Sequence, residues 1–346
     1  METKNSFTDH VLEINEIASD NAPLRSLLMD VFYRNLPKHI QIQFKSLLHK
    51  FHFTPRIKTG WKCRHGTCVD ESCYSHEISE NAFLKHLSDD YSRVIVIKKD
   101  MQNNPAFFIE ETIHKRNASN FPGYCSFHDA DLFRDIENVE QKLTEYFINK
   151  QSLRTIRKRI FETELQIRIA AEFIESISDD ITSSKEINQV ADRIKNKINN
   201  LKKGLIRLDD VYSQIQEGIE NEKFVISYNE IESKKTGYFF STCLDLTNTE
   251  DEEPCVIFLY KLDFGKEPKA LVCTLKNKTS STIGKEISSD PSHIFVNSMY
   301  SEKENLIFSH NFINSLSSTV KGILYRDAEL YEISQLERRI IYEELF

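Results

Sequence analysis

Apolar positions along the chain fall into three regimes. Leu24, Leu27, Leu28, Val31 and Phe32 recur at spacings of three and four, and Ile40, Phe44, Leu47, Leu48 and Phe51 repeat the pattern. This spacing predicts two helices in the first sixty residues, the second opened by Pro37 in its first turn. Gly60 and the cysteine-rich stretch 63–73 interrupt the helical period. The short β-branched or aromatic runs VIVI (94–97) and AFFIE (106–110) predict strands, joined by a polar loop that ends in Pro105.

The middle of the chain is the most regular. Residues 139–181 and 185–220 predict two long helices separated by a Ser-containing break at 179–185. In the second, Ile187, Ala191, Ile194, Ile198, Leu201, Leu205, Leu208, Tyr212, Ile215 and Ile219 alternate steps of four and three. That is a seam for a partner helix, which is either the preceding helix in an antiparallel hairpin or a second copy of the chain.

From 224 the pattern changes to strands: FVISY, GYFFSTCLDL, CVIFLYKL, ALVCTL and HIFVNSMY. Polar loops join them, including NKTSSTIGKEISSDPS, and terminal helices are predicted over 311–322 and 328–345. The fold class expected is α+β. The pattern divides the chain into 1–138 (helices plus a cysteine-rich module), 139–222 (helical hairpin or coiled coil) and 223–346 (a mostly antiparallel sheet with terminal helices).

Composition sharpens this picture. With 40% apolar and 28% charged residues, 346 residues can build real cores. No run of about 18 apolar residues occurs, so no spanning helix and no membrane partner is expected. The start METKNSFTDHVLEINE does not have the form of a secretory signal, which predicts a cytoplasmic, reducing setting in which the cysteines are not paired. The net charge of −8 conceals an island. Between Asp30 and Asp70 there are eight Lys or Arg and no acid. Such a segment in an acidic chain predicts one local polyanion site, with Lys45, Lys50, Arg56, Lys58, Lys62 and Arg64 as candidate nucleic-acid contacts. The interleaved Phe44, Phe51, Phe53 and Trp61 are expected mainly in the core. A second basic stretch, Arg193 to Arg207, can extend the track on the hairpin. There is no G-x-x-x-x-G-K-[ST], G-x-G-x-x-G or H-E-x-x-H motif, which argues against a nucleotide-driven motor.

Four of the seven cysteines cluster. Cys63-x4-Cys68-x4-Cys73-x2-His76 is followed by Cys125-x2-His128-Asp129. Two ligands from a tight knuckle and two from a turn opening a helix assemble a structural Zn²⁺ site, and the set expected is Cys63, Cys68, Cys125 and His128, with Cys73 spare. Cys243, Cys255 and Cys273 each sit inside an apolar strand and are expected in the core.

Ser75-His76-Glu77-Ile78 after the first cysteine pair, and Asn120 five residues before Cys125, resemble the HNH (ββα-metal) nuclease pattern. The resemblance implies His76 as general base, Asn120 as a holding residue and Asp129 at the helix position that binds a catalytic Mg²⁺ or Mn²⁺. The chain departs from that pattern at Ser75, where a carboxylate is usual, at Asp129 in place of His, and in Cys-x2-His in place of Cys-x2-Cys. Glu77 and Glu80 are the nearest alternative carboxylates. CRHGTCVDESCYSHEISENAFLKHL and RNASNFPGYCSFHDADLFRDIEN are also similar to an uncharacterised bacterial family with an HNH-like zinc-knuckle domain. That resemblance implies a metal-dependent endonuclease (a hydrolase) with a place in anti-phage, antiviral defence. The same residues also fit another class, a non-catalytic, zinc-scaffolded protein that binds nucleic acid or a partner. Partners expected are nucleic acid, and a second copy of the chain or an operon-encoded protein.

Overall fold

The computed structural model describes residues 37–48, 60–100, 107–137, 142–247, 253–263, 268–326, 328 and 332–346. The helix predicted around 24–32 lies outside these residues. The second helix is present as α1 (Lys38–Leu48). The carbonyl of Pro37 accepts its first backbone bonds from Ile40 and Gln41. Ile40 and Phe44 are fully buried, and the Phe44 ring packs 4.8 Å from that of Phe173.

A small sheet follows. β1 (Tyr74–His76) pairs antiparallel with β4 (Asn120–Pro122), and α2 (Ser126–Glu137) starts directly after it. Between these strands lie a π-helical turn (Glu80–Leu84) and a hairpin of β2 (Arg93–Lys99) and β3 (Phe108–His114). The two strands expected in this region are therefore present.

The helical hairpin is also present. α3 (Glu145–Ser176) is followed by a short α4 (Ser178–Ser183) and by α5 (Lys185–Glu220). Ser184 caps α5, its hydroxyl accepting from the Ile187 amide. Ile187, Ala191, Ile194, Leu201, Leu208, Tyr212 and Ile215 on the seam are all buried. At one end Ile187 and Ile194 share a core with Phe161, Leu165, Ile169 and Phe173 of α3, so this seam packs within one chain.

The large sheet has seven strands in the order β3-β2-β9-β6-β7-β8-β5, every pair antiparallel. Its other members are β5 (Ile226–Ile231), β6 (Tyr238–Asp245), β7 (Val256–Asp263), β8 (Pro268–Leu275) and the two-residue β9 (Ile307–Phe308). β9 joins the β2–β3 hairpin to the C-terminal strands, so one sheet runs through residues from both ends of the chain. Alternation sorts its two faces. Val256, Phe258, Tyr260 and Leu262 pack with α3 and α5, whereas Ile257 and Leu259 pack with the C-terminal helices. Helices on both faces explain why β6 and β7 are buried along their whole length and read as apolar runs.

Two segments differ from the sequence expectation. The polar stretch read as a loop before residue 291 is helix α6 (Lys278–Ser289), capped by Asn277. HIFVNSMY, read as a strand, is helix α7 (Pro291–Ser301). Pro291 sits in its first turn, where its fixed φ favours a helix, and Ile294, Phe295, Ser298 and Met299 form the inward stripe. The terminal helices are α8 (His310–Ser315), α9 (Ser318–Leu324) and α10 (Gln335–Leu345). Cys243, Cys255 and Cys273 are core residues.

α3 is the axis that connects the small sheet to the large one. Every residue from Phe147 to Arg157 is buried, polar ones included. Buried polar groups need partners, and α3 finds them on several sides. Asn149 Oδ1 accepts from the amides of Val225 and Ile226 beside β5. Lys150 Nζ donates to both carboxylate oxygens of Asp135 on α2, at 2.9 and 2.7 Å. Ser152 meets the Tyr260 hydroxyl of β7 at 3.2 Å. Arg154 pairs with Glu137 at the end of α2 and lies 4.1 Å over the Phe133 ring.

Candidate metal centre and the adjoining His76 site

The knuckle is a tight hairpin. Cys63 N–H donates to the Asp70 carbonyl and Ser72 N–H to the Trp61 carbonyl, both at 2.9 Å. Gly66, at φ +49°, turns the chain between the two cysteines, where a side chain would be strained. The second half comes from the Phe121–Cys125 turn. A Cβ on Gly123 would lie 2.7 Å from the Phe121 ring, so only glycine fits there without displacement. Cys125 then opens α2, its carbonyl accepting from Asp129 N–H at 2.9 Å, and His128 falls in the first turn.

These two halves meet. The Sγ atoms of Cys63, Cys68 and Cys125 and a ring nitrogen of His128 all lie within 4.8 Å of one another, and together they could hold a metal ion. His128 Nδ1 is 3.5 Å from Cys63 Sγ and 3.2 Å from Cys125 Sγ. Cys63 and Cys125 are buried, Cys68 is half-buried, and the His65 ring stacks on that of His128 at 4.1 Å. The Asp70 backbone amide pulls the Cys68 thiol down, but desolvation and the crowding of Cys63 and Cys125 push it up to about 11. Crowded thiols that oppose one another's ionisation fit a cation, which would reverse that balance. The four expected ligands are thus brought together, and Cys73 stands outside the set. Its N–H donates to the Tyr124 carbonyl at 2.7 Å, which ties the knuckle to the second turn.

His76 and Asn120 are register partners on β1 and β4. His76 Nε2 lies 3.1 Å from the Arg116 carbonyl oxygen. A carbonyl only accepts, so this hydrogen bond places the proton on Nε2 and leaves the Nδ1 lone pair available. No hydrogen bond engages Nδ1 among the described residues. The Asn120 side-chain amide donates to the same carbonyl. Ser119, just before it, sits at φ +54°, a strained conformation for a non-glycine residue, and its carbonyl accepts from Glu77 N–H at 3.0 Å. Burial lowers the His76 pKa from its usual value, and Glu80, with Oε2 3.9 Å from Nε2, partly opposes it.

Asp129 is largely enclosed. Burial pushes its carboxyl up, and the Arg154 guanidinium, the Ser75 hydroxyl and, more weakly, His76 pull it back. Its Oδ1 is buried without a hydrogen-bond partner. Ser75 Oγ also accepts from Tyr124 N–H at 3.3 Å, so the residue standing at the carboxylate position of the HNH pattern is a fully buried linker. Of the two alternative carboxylates, Glu77 faces away. It accepts from Lys158 Nζ and from Ser241 Oγ, each at 2.6 Å. Glu80 is the one beside His76.

The basic island is only partly described. Lys50, Arg56, Lys58 and the side chain of Lys45 lie outside the described residues. Lys62 is exposed opposite Glu71, and Arg64 is ion-paired with Glu164. Trp61 packs on Phe161 at 4.9 Å, as expected of a core aromatic. In the second basic stretch, Arg207 Nη2 donates to Asp245 Oδ2 at 2.7 Å and ties α5 to the sheet. The sequence alone does not single out Arg116 or Arg154. Arg116 acts through its backbone, and Arg154 lies in a helix remote in sequence from either cysteine cluster.

The chain matches no family model, no curated protein and no solved structure. Among the described residues, no helix is long and apolar enough to cross a membrane.

Proposed function

We propose that the chain is an HNH-like, metal-dependent endonuclease whose structural ion is zinc. The observation that carries this reading is the Nε2 contact of His76 with the Arg116 carbonyl. It fixes the tautomer in which Nδ1 accepts a proton, and burial favours the neutral ring at pH 7. A general base needs both. Nδ1 would take the proton of a water whose oxygen then bonds to phosphorus as the P–O bond to the leaving oxygen breaks. Asn120 holds the same carbonyl and so fixes the loop that orients His76.

Three thiolates and one imidazole suit zinc, which favours a tetrahedral arrangement and tolerates both ligand types. Unpaired cysteines agree with the reducing, cytoplasmic setting expected from the sequence, and the place in defence is what the family resemblance implies. For a catalytic Mg²⁺ or Mn²⁺, the chain offers the unpartnered Oδ1 of Asp129. One carboxylate with water and substrate phosphate is the minimum that such a hard cation accepts. When bound, the ion would supply charge stabilisation at the phosphate and the leaving oxygen.

A second reading, a zinc-scaffolded binding protein without catalysis, is favoured by one observation. Asp129 lies under the Ser75 hydroxyl and within the field of Arg154, a buried cation that opposes a divalent ion. Plasmid DNA and RNA incubated with the wild type and with His76→Ala, plus Mg²⁺ or Mn²⁺, separate the two. Cleavage that depends on His76 supports the endonuclease, and no cleavage under either metal leaves the binding protein.

A further inference from the structure

Nucleic-acid contact is expected from residues 45–64, but of the two described members beside the metal centre only Lys62 is unpaired, while Arg64 is held by an acid. Lys62 stands opposite Glu71, and Arg64 is paired with Glu164. Two cations that share the acid Glu80 with His76 come from elsewhere. A single 3-10 turn, Lys115–Asn117, follows β3 and carries Lys115 and Arg116. Its geometry is fixed at three points. His114 Nδ1 accepts from Arg116 N–H at 3.2 Å, Lys115 N–H donates to the Ser92 carbonyl at 2.8 Å, and Ala118 N–H donates to the Lys115 carbonyl at 3.1 Å.

Arg116 therefore faces two ways. Its carbonyl orients His76 and Asn120, and its side chain is 76% exposed. Glu80 is the acid that these cations share. It lies 3.7 Å from Lys115 Nζ, 3.8 Å from Arg116 Nε and 3.9 Å from His76 Nε2. One carboxylate between two cations leaves a local positive charge beside the candidate base. Because His114 Nδ1 accepts, its Nε2 carries a proton and adds a neutral donor on the same turn.

We propose that this turn, through Lys115 and Arg116, is the phosphate grip of the chain, and that it takes the backbone of a nucleic acid. A phosphate held there lies against the residue whose own carbonyl orients His76, so binding and the orientation of the base are coupled through one residue. The inference rests on the endonuclease reading for its purpose but not for its binding claim. Phosphate contacts of this kind position the nucleic acid without reading its sequence.

The test is fluorescence anisotropy of the full, zinc-loaded chain with end-labelled single-stranded DNA, duplex DNA and RNA, without added Mg²⁺. The expected result is binding by the wild type and at least a tenfold loss for Lys115→Gln/Arg116→Gln at about 0.1 M salt. The double variant should also flatten the salt dependence by about 1.4 to 1.8 in log–log slope, the contribution of two phosphates. Arg116→Lys keeps the charge and the backbone carbonyl and should bind within a few-fold of wild type, as should Arg64→Gln. If the double variant melts at a lower temperature, the comparison of Arg116→Lys with Arg116→Gln alone decides. Undiminished binding by the glutamine variants, a loss for Arg64→Gln as large as theirs, or no binding of any probe by the wild type overturns the proposal. Binding lost in the glutamine variants, with no cleavage by the wild type, keeps the grip and removes the endonuclease. Cleavage by the wild type with undiminished binding in those variants does the reverse.

Discussion

His76 and Asn120 stand directly opposite one another on β1 and β4, and both side chains donate to the carbonyl oxygen of Arg116. A single backbone atom thus sets the orientation of the candidate base and of its neighbour. Asn120→Ala removes one of the two donors and leaves the other. We expect it to cost at most about 1.5 kcal/mol of stability, the usual range for one hydrogen bond. Any cleavage rate should fall by more than that stability change suggests, because a small misplacement of a reacting group can cost about a hundredfold. Chemical denaturation and cleavage kinetics on the same protein check this.

The metal centre makes a sharper demand. If the proposed ion is zinc, Cys125→Ser should reduce it from about one equivalent per chain to near none. It should also destabilise the protein by several kcal/mol, because binding free energy at a structural site is folding free energy. Cys73→Ser should keep its zinc, since Cys73 lies outside the four-donor set. Elemental analysis and denaturation of both variants give the comparison.

The cysteine set was legible in the sequence because ligand spacing is local on each half, and only the meeting of the halves needed the fold. The α5 seam was legible for a similar reason, since ten positions in strict alternation encode one buried face. The α3 helix was not legible in the same way. Its Asn149, Gln151, Arg154 and Arg157 look like a solvated face, yet all are buried because the helix is enclosed on several sides. HIFVNSMY misled because a β-branched and aromatic run resembles a strand, although the preceding Asp290-Pro291 is a helix start. β9 is too short for any period to reveal, and it is the strand that makes the sheet continuous.

Acid should weaken the fold partly through His76. Burial lowers its folded pKa below the ordinary 6.5, so the unfolded chain binds the proton more readily. Stability therefore rises with pH up to about 6.5 and is lost as pH falls below it. His65, His86 and His293 are lowered in the same direction, so the difference between wild type and His76→Gln isolates the residue. That difference should change with pH below about 6.5 and be flat from pH 7 to 8, as measured by denaturation across the range. Cleavage that uses neutral His76 should likewise fall in acid with a midpoint below the ordinary histidine value of 6.5.

Glu77 connects the small sheet to the large one. It is 2% exposed and accepts from Lys158 on α3 and Ser241 on β6. Burial works against the Lys158 ammonium, but Glu77 and then Glu162 outweigh it and raise its pKa. Removing one member of a buried pair leaves an uncompensated charge, so Glu77→Gln or Lys158→Met should each cost about 3–5 kcal/mol. The double variant should lose clearly less than the sum. A double-mutant cycle in denaturant measures the coupling.

In the proposed function, a frame built around the metal presents His76 as a base. The most direct measurement is the cleavage rate of labelled DNA and RNA by zinc-loaded wild type and zinc-loaded His76→Ala, with Mg²⁺ or Mn²⁺. That role predicts cleavage by the wild type and a loss of about 10²–10⁴-fold in the variant, the usual contribution of a positioned general base. Equal rates, or no cleavage by the wild type with either metal, would contradict it.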